Sequence, residues 1–208
     1  MRKAFHEELD RVAETLVEMT HLASSAMNRA TTALLDADIH LADSVIAADA
    51  EIDALRDDLD LLSFDLLARQ QPVATDLRVI VTSMRMSSDL ERMGDLARHV
   101  AKVARLRYPA SAVPAELRST ILQMRHVAER IVEKAGSVIA ARDLEAAQQI
   151  ERDDDAMDDL HRELFARVTD PSWRHGTEAA IDITLVGRYY ERFADHADLD
   201  TQRTTIEE

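Results

Sequence analysis

The sequence predicts an all-α protein made of two tandem, pseudo-symmetric antiparallel three-helix bundles. Three observations predict it. Gly and Pro number four each and aromatics only 4%, while Ala, Leu, Arg, Asp and Glu dominate; that composition favours helix over sheet. Apolar residues recur at alternating steps of three and four, the spacing of bundled helices. Two acidic motifs occur twice, in the same order. Asp49-Ala-Glu-Ile-Asp53-Ala-Leu55 returns as Asp154-Asp-Ala-Met-Asp158-Asp-Leu160, and Glu91-Arg92-Met-Gly-Asp95-Leu-Ala97 returns as Glu191-Arg192-Phe-Ala-Asp195-His-Ala197. Such recurrence indicates a duplicated unit, and its period is far longer than a solenoid repeat.

The first helix carries the seam Phe5, Leu9, Val12, Leu16, Met19, Ala23, Met27, Ala30 and Leu34. Asp38 resembles the N-cap of a second helix with Val45, Ile52, Leu55, Leu59, Leu62 and Leu66 on its apolar side. Pro72 cannot continue the hydrogen-bond ladder, so Gln70–Thr75 ends that helix. Thr75 is expected to cap a third helix running to about Arg107. Tyr108-Pro-Ala-Ser-Ala-Val-Pro114 holds two prolines close together and reads as the linker between a first unit, residues 1–107, and a second, residues 115–208.

The second unit repeats the plan. Its first helix starts near Ala115, with Leu117, Ile121, Met124, Ala128, Ile131, Ala135 and Val138 as the seam. Asp143 is expected to cap the next helix as Asp38 caps its counterpart. Asp170–Gly176 is the loop equivalent to Gln70–Thr75. The last helix carries Ile181 through about Ala197. Beyond Ala197 the apolar stripe is lost, so a short sixth helix is expected.

At 208 residues the chain is long enough for a sizeable core, and 46% apolar content marks it as globular. The net charge is -15 without a basic stripe, which argues against nucleic acid as a partner. Multivalent cations or basic protein surfaces suit it better. Cysteine is absent, which excludes disulfides and thiolate chemistry. No apolar signal segment opens the chain, and no apolar run approaches the roughly 20 residues of a membrane span. A cytoplasmic location is expected, peripheral to a membrane only through protein partners.

Helical phase gives the acidic motifs their meaning. A helix advances ~100° per residue, so Glu91 and Asp95 lie ~40° apart. They fall nearly opposite the stripe Met86, Leu90, Met93, Ala97, Val100 and Ala104. Glu191 and Asp195 likewise face away from Val186, Tyr190, Phe193 and Ala197. Asp49 and Asp53 lie off the Leu55–Leu59–Leu62 stripe, as Asp154 and Asp158 lie off the one holding Leu160 and Leu164. Each unit is thus expected to bring two carboxylate pairs to one outer surface, across the ~8–10 Å between neighbouring helices. Carboxylates so crowded repel, and a di- or trivalent cation removes that cost. Oxygen ligands suit Mg²⁺, Ca²⁺, Mn²⁺ or iron, and without Cys or matched His a tetrahedral zinc site is disfavoured. The plainer alternative is a solvated acidic face, with Arg92 and Arg192 neutralising carboxylates without metal. Glu18-Met-Thr-His21 has di-iron spacing but occurs once. His21, His161 and His196 read as surface or packing residues. Trp173 reads as a loop plug, and the methionines as core filler.

Gln71-Pro72-Val73-Ala74-Thr75-Asp76-Leu77-Arg78, Asp89-Leu-Glu91-Arg92-Met-Gly-Asp95 and Tyr190-Glu191-Arg192-Phe-Ala-Asp195-His196-Ala197 together resemble the PhoU family of phosphate-signalling regulators. Arg174-His-Gly-Thr and the Arg-Phe-Ala-Asp-His ending are most similar to its actinobacterial members. The resemblance covers essentially the whole chain. It implies two three-helix bundles whose Glu/Asp-x-x-x-Asp motifs can bind multinuclear metal clusters, often iron, with Mg, Mn, Zn or Ca as other occupants. By that likeness Asp49, Asp53, Glu91, Asp95, Asp154, Asp158, Glu191 and Asp195 are the metal ligands, and no organic cofactor is expected. It also implies a non-enzymatic negative regulator of phosphate uptake and of the phosphate-starvation response. Such a regulator links the phosphate ABC transporter, through its ATPase subunit, to a sensor histidine kinase, and a homodimer is expected. Two other readings are kept open, a carboxylate-bridged metalloenzyme and a purely structural helical adaptor.

Overall fold

The computed structural model describes the backbone of residues 2–141 and 144–205, and the side chains of residues 5–140 and 149–198. Six α-helices run in sequence: α1 (Arg2–Asp36), α2 (Ile39–Gln70), α3 (Thr75–Arg107), α4 (Arg118–Ala141), α5 (Leu144–Thr169) and α6 (Gly176–Thr205). A single 3₁₀ turn, Ala115–Leu117, leads into α4. Helices α1, α2 and α3 pack on one another, as do α4, α5 and α6. The two trios then meet through α1 against α4 and α3 against α6.

This arrangement follows from the seams. Val12, Leu16, Met19, Ala23, Met27, Ala30 and Leu34 are all buried on α1, and Ile121, Met124, Ala128, Ile131, Ala135 and Val138 on α4. Both stripes are wide enough to cover two neighbours in their own trio and one in the other. One continuous core results, joining Phe5 near one end of the chain to Ala197 near the other. Burying a Leu or Met side chain contributes roughly 1.5–3 kcal/mol, so a core of this extent outweighs any single cap or ion pair.

The helix ends divide the caps into those that agree with sequence and those that do not. Asp38 caps α2 as expected, its carboxylate accepting from Leu41 N–H at 3.0 Å. Helix α3 is different. Thr75 is its first residue, Ala74 holds the N-cap position at φ +50°, and no side chain caps it. The expected Asp143 cap of α5 lies outside the described residues. Helix α6 does not stop after Ala197: its backbone stays helical to Thr205, eight residues past the last stripe position. Backbone hydrogen bonds and helix-tolerant residues carry about two further turns that no apolar stripe announces.

Polar side chains also join the two trios. Asp89 on α3 meets His196 on α6, carboxylate to Nδ1 at 2.9 Å, with both side chains largely buried. The Thr31 hydroxyl on α1 hydrogen-bonds the fully buried Tyr190 hydroxyl on α6. Arg107, at the end of α3, grips Asp182 on α6 through Nη2 at 3.0 Å and through Nε. Asp182 is only 4% exposed, so the guanidinium is what allows its charge to be there. Trp173 sits half-buried against the core with its indole N–H donating to Gly176 carbonyl at 2.8 Å, the plug its position predicts.

Candidate functional site

The doubled acidic motifs lie where α2 meets α3 and where α5 meets α6. The first face does not have the open form expected of it. Asp49 is 6% exposed: it points into the α2–α3 seam rather than to the outside. The reason is Gly94. A methyl group there would come 2.8 Å from Ile52 Cδ1 and 3.3 Å from Asp49 Oδ1, so the missing side chain lets α3 settle over Asp49. The expectation that Asp49 lies off the apolar stripe is therefore overturned: it stands in line with Ala42, Val45 and Ile52 on the buried face of α2, which extends beyond the leucines.

A buried carboxylate needs a counter-charge, and Arg98 supplies it. Its Nη1 lies 2.5 Å from Asp49 Oδ2, and its Nη2 donates to Asp95 Oδ1 one turn back on α3. The Asp49 contact is close in distance but off the line of a hydrogen bond, and Arg98 Nε has no partner. Burial pushes the Asp49 carboxyl above its ordinary range, Arg98 opposes that shift, and Asp95 and Asp53 add to it. Glu91 is also raised, by burial and then by Asp95, against the opposing charges of Arg56 and Arg92. Arg56 itself pairs with Asp57 at 2.6 Å. The first face is therefore interleaved with guanidinium groups.

The second face keeps the carboxylates and changes the cations. Where the first half has Arg98, the second has Asp198; where it has Arg56, the second has His161. Asp154, the counterpart of Asp49, has its carboxyl pushed up to about 6 by burial and then by Asp195, Asp198, Asp158 and Asp155. Glu191 is raised by burial and by Asp195, with Arg188 and His161 opposing. Its Oε1 accepts from Arg188, while its Oε2 is buried without a hydrogen-bond partner. Asp195 is paired with Arg192 at 3.2 Å. Both of those arginines lie on α6 itself, one turn from their carboxylates, and are about half exposed. Asp158 is exposed and Asp53 half-buried. His161 packs over Gly187, whose missing side chain leaves 3.1 Å from the built Cβ to the imidazole Cδ2. Neighbouring Asp153 is already neutralised: against the cost of burial, Lys134 at 2.6 Å and Arg130 at 3.0 Å from α4 hold its carboxyl below the usual range.

The residues thus fit a hard cation unequally. In the first half a guanidinium fills the space between Asp49 and Asp95. In the second, oxygen donors from two helices and one imidazole lie near one another, and the arginines that relieve them, Arg188 and Arg192, pair along α6. Among the described residues, no three acidic or imidazole groups converge at the distance of a single ion. The Glu18 and His21 pair stays exposed on α1, away from both faces. The sequence reading left out Arg98 and Asp198. The signal was present, since Arg98 and Asp198 stand three residues beyond Asp95 and Asp195. His196, read as a surface or packing residue, is a packing one: it is buried, and its aspartate partner lies on the other trio. No described helix is long and apolar enough to cross a membrane.

Comparison with known proteins agrees with this architecture. The PhoU domain model matches twice, over residues 16–104 and 121–198. The phosphate-specific transport system accessory protein PhoU homolog 2 of Mycobacterium tuberculosis is 50% identical over 197 residues, which is 95% of this chain and 92% of that protein. PhoU homolog 1 of Mycobacterium leprae is 48% identical, over 95% and 89%. The crystal structure of PhoU from Pseudomonas aeruginosa superposes with a TM-score of 0.85 at 27% identity, covering 98% of both chains. That of the regulatory protein PhoU from Streptococcus pneumoniae gives 0.87 at 22%, evidence for the fold. The chain belongs to the PhoU family.

Proposed function

We propose that this protein is a non-enzymatic accessory regulator of phosphate-specific transport. In this reading it restrains phosphate uptake and the phosphate-starvation response by bridging the ATPase subunit of the phosphate ABC transporter and a sensor histidine kinase. The observation that carries it is the 50% identity, over 95% of the chain, to a mycobacterial protein named as a transport accessory protein. The net charge of -15 supports docking to basic protein surfaces rather than nucleic acid. A cytoplasmic homodimer belongs to the same reading.

The reading includes cation binding. Asp154, Asp158, Glu191 and Asp195 would hold the cation in the second half, as Asp49, Asp53, Glu91 and Asp95 are the matching set in the first. A bound di- or trivalent ion would supply charge neutralisation, and it would leave a rigid, less acidic docking surface. The second set has the better-suited chemistry, because burial and like charge already penalise its ionised state.

Deletion of the gene with complementation tests the regulatory claim. Phosphate-regulon transcripts should rise in rich phosphate on deletion and fall on complementation, and the purified protein should retain the transporter ATPase and the kinase in pull-downs. Unchanged transcripts together with no retention of either would refute it. Turnover lost on changing Glu191 and Asp195 to Ala would instead favour a metalloenzyme. A chain with no metal and no partner would be a structural adaptor.

A further inference from the structure

The two carboxylate faces descend from one motif, yet among the described residues only the first has an arginine that bridges the carboxylates of its two helices. That arginine is Arg98. Its guanidinium reaches Asp49 on α2 and Asp95 on α3 simultaneously, the two helices whose carboxylates a shared ion would bridge. Its side chain is 29% exposed, and the Asp49 and Asp95 side chains are 5% and 27% exposed, so the contact is largely sheltered from solvent. Gly94 holds the helices close enough for that reach. The same location in the second half carries Asp198, an acid in place of a base. There the arginines near the carboxylates, Arg188 and Arg192, come from α6 alone and do not cross to α5.

We propose that Arg98 is the built-in counter-ion of the first half, so that the Asp49–Asp95 site takes no metal and cation binding is confined to the second half. The physical reason is competition for one space. A guanidinium is permanently charged, planar and able to donate to two carboxylates at once. A metal entering between Asp49 and Asp95 must expel it, and the expelled charge then stands beside the ion. A second-half ion displaces only exposed side chains that water can resolvate. The inference rests on the cation-binding reading of these faces given above, and it narrows that reading to one of them.

The test titrates metal-stripped full-length protein with Mn²⁺ by calorimetry, in wild type, Arg98→Ala and Arg98→Ala/Asp95→Asn. Arg98→Ala should bind one more Mn²⁺ per chain than wild type, and the added Asp95→Asn should abolish the gain. Equal stoichiometry in wild type and folded Arg98→Ala overturns the proposal. Crystals of wild-type protein soaked in Mn²⁺ give a second measurement that needs no variant. Anomalous density between Asp49 and Asp95 overturns the proposal, and its absence there agrees with it. The cation-binding reading fails separately, if wild type shows neither Mn²⁺ uptake nor second-half density. A gain in Arg98→Ala would then still support the role of Arg98.

Discussion

In the first half of the molecule a buried aspartate is matched by an arginine from the facing helix. In the second half the same aspartate looks across at another aspartate. Asp49 and Asp154 occupy equivalent places, as do Arg98 and Asp198. The apolar seams, by contrast, are nearly interchangeable: Leu90, Met93 and Ala97 are buried on α3 just as Tyr190, Phe193 and Ala197 are on α6. The difference teaches that duplication preserves the fold through residues that tolerate hydrophobic exchange, while charge at the repeated motif is free to diverge. One half has an arginine that crosses between its helices, and the other has a further acid at the same place.

Removing Arg98 should break this contrast most severely. Arg98→Ala leaves Asp49 buried without its counter-charge, which costs about 3 kcal/mol for a largely sheltered pair. Arg188→Ala in the second half removes a half-exposed partner of Glu191 and should cost under ~1 kcal/mol. Urea denaturation of both variants at neutral pH checks the pair of values. Similar losses would mean that the two faces are electrostatically alike.

Relieving the second half should act in the opposite direction. Asp154 has its carboxyl pushed up to about 6 from 3.8, chiefly by burial. A native pKa above the unfolded value means that the native state holds the proton more tightly. Stability is therefore greatest when Asp154 is protonated, falls as pH rises from about 4 to about 6, and levels off above that. Asp154→Asn removes the ionising group, so it should gain about 2 kcal/mol at pH 7 and little at pH 4. Denaturation midpoints across that pH range in chelator give the answer, and an equal gain at both ends would rule out repulsion as the cause. Saturating Mn²⁺ should reproduce part of the gain in wild type, and should add less to Asp154→Asn.

The seams, the element order and the doubling were legible in the sequence because each rests on a period that repeats over many residues. Leu16, Met19 and Ala23 could be placed in the core from spacing alone. The state of the carboxylates was not legible in the same way. The leucines drew the stripe of α2 too narrowly: its buried face also takes in Ala42, Val45 and Asp49, while Asp53 stands at the edge of that face. An aspartate in an apolar face announces no burial by itself, and the room for it comes from Gly94 on the facing helix. Likewise the pairings Asp89–His196 and Arg107–Asp182 join helices from different trios. Nothing local in either segment encodes such a partner. The extent of α6 was underestimated for a related reason. An absent apolar stripe does not by itself end the backbone hydrogen bonding of a helix.

The close approach at Gly94 offers a milder way to sharpen the contrast. Its counterpart is Ala194, which the second half accommodates without difficulty while fully buried. Gly94→Ala must displace Ile52 Cδ1 and crowd Asp49, a strain of about 1–3 kcal/mol. The better helix propensity of Ala returns about 1 kcal/mol. A net loss of about 1 kcal/mol is expected, with part of it arising from a weakened Arg98 contact. If so, Gly94→Ala should be less damaging when Arg98 is already Ala, a coupling that a double-mutant cycle measures. Strict additivity would show that the glycine serves helix packing alone.

The smallest effect concerns the two loops that launch α3 and α6. The second half begins α6 with Gly176 at φ +81°, a conformation glycine adopts without penalty. The first half places Ala74 at φ +50°, ψ -115°, immediately before α3, with no capping hydrogen bond to offset the strain. A Cβ in that region costs roughly 1 kcal/mol. Ala74→Gly should therefore stabilise by a few tenths to about 1 kcal/mol, the glycine's larger unfolded-state entropy subtracting from the relief. Gly176→Ala should destabilise by about 1 kcal/mol, since nothing lies within 4 Å of its built Cβ and backbone strain is then the only term. Thermal melts of the two variants check opposite signs. If Ala74→Gly destabilises instead, the first loop does not hold the positive φ, and the equivalence of the two loops is confined to their place in the chain.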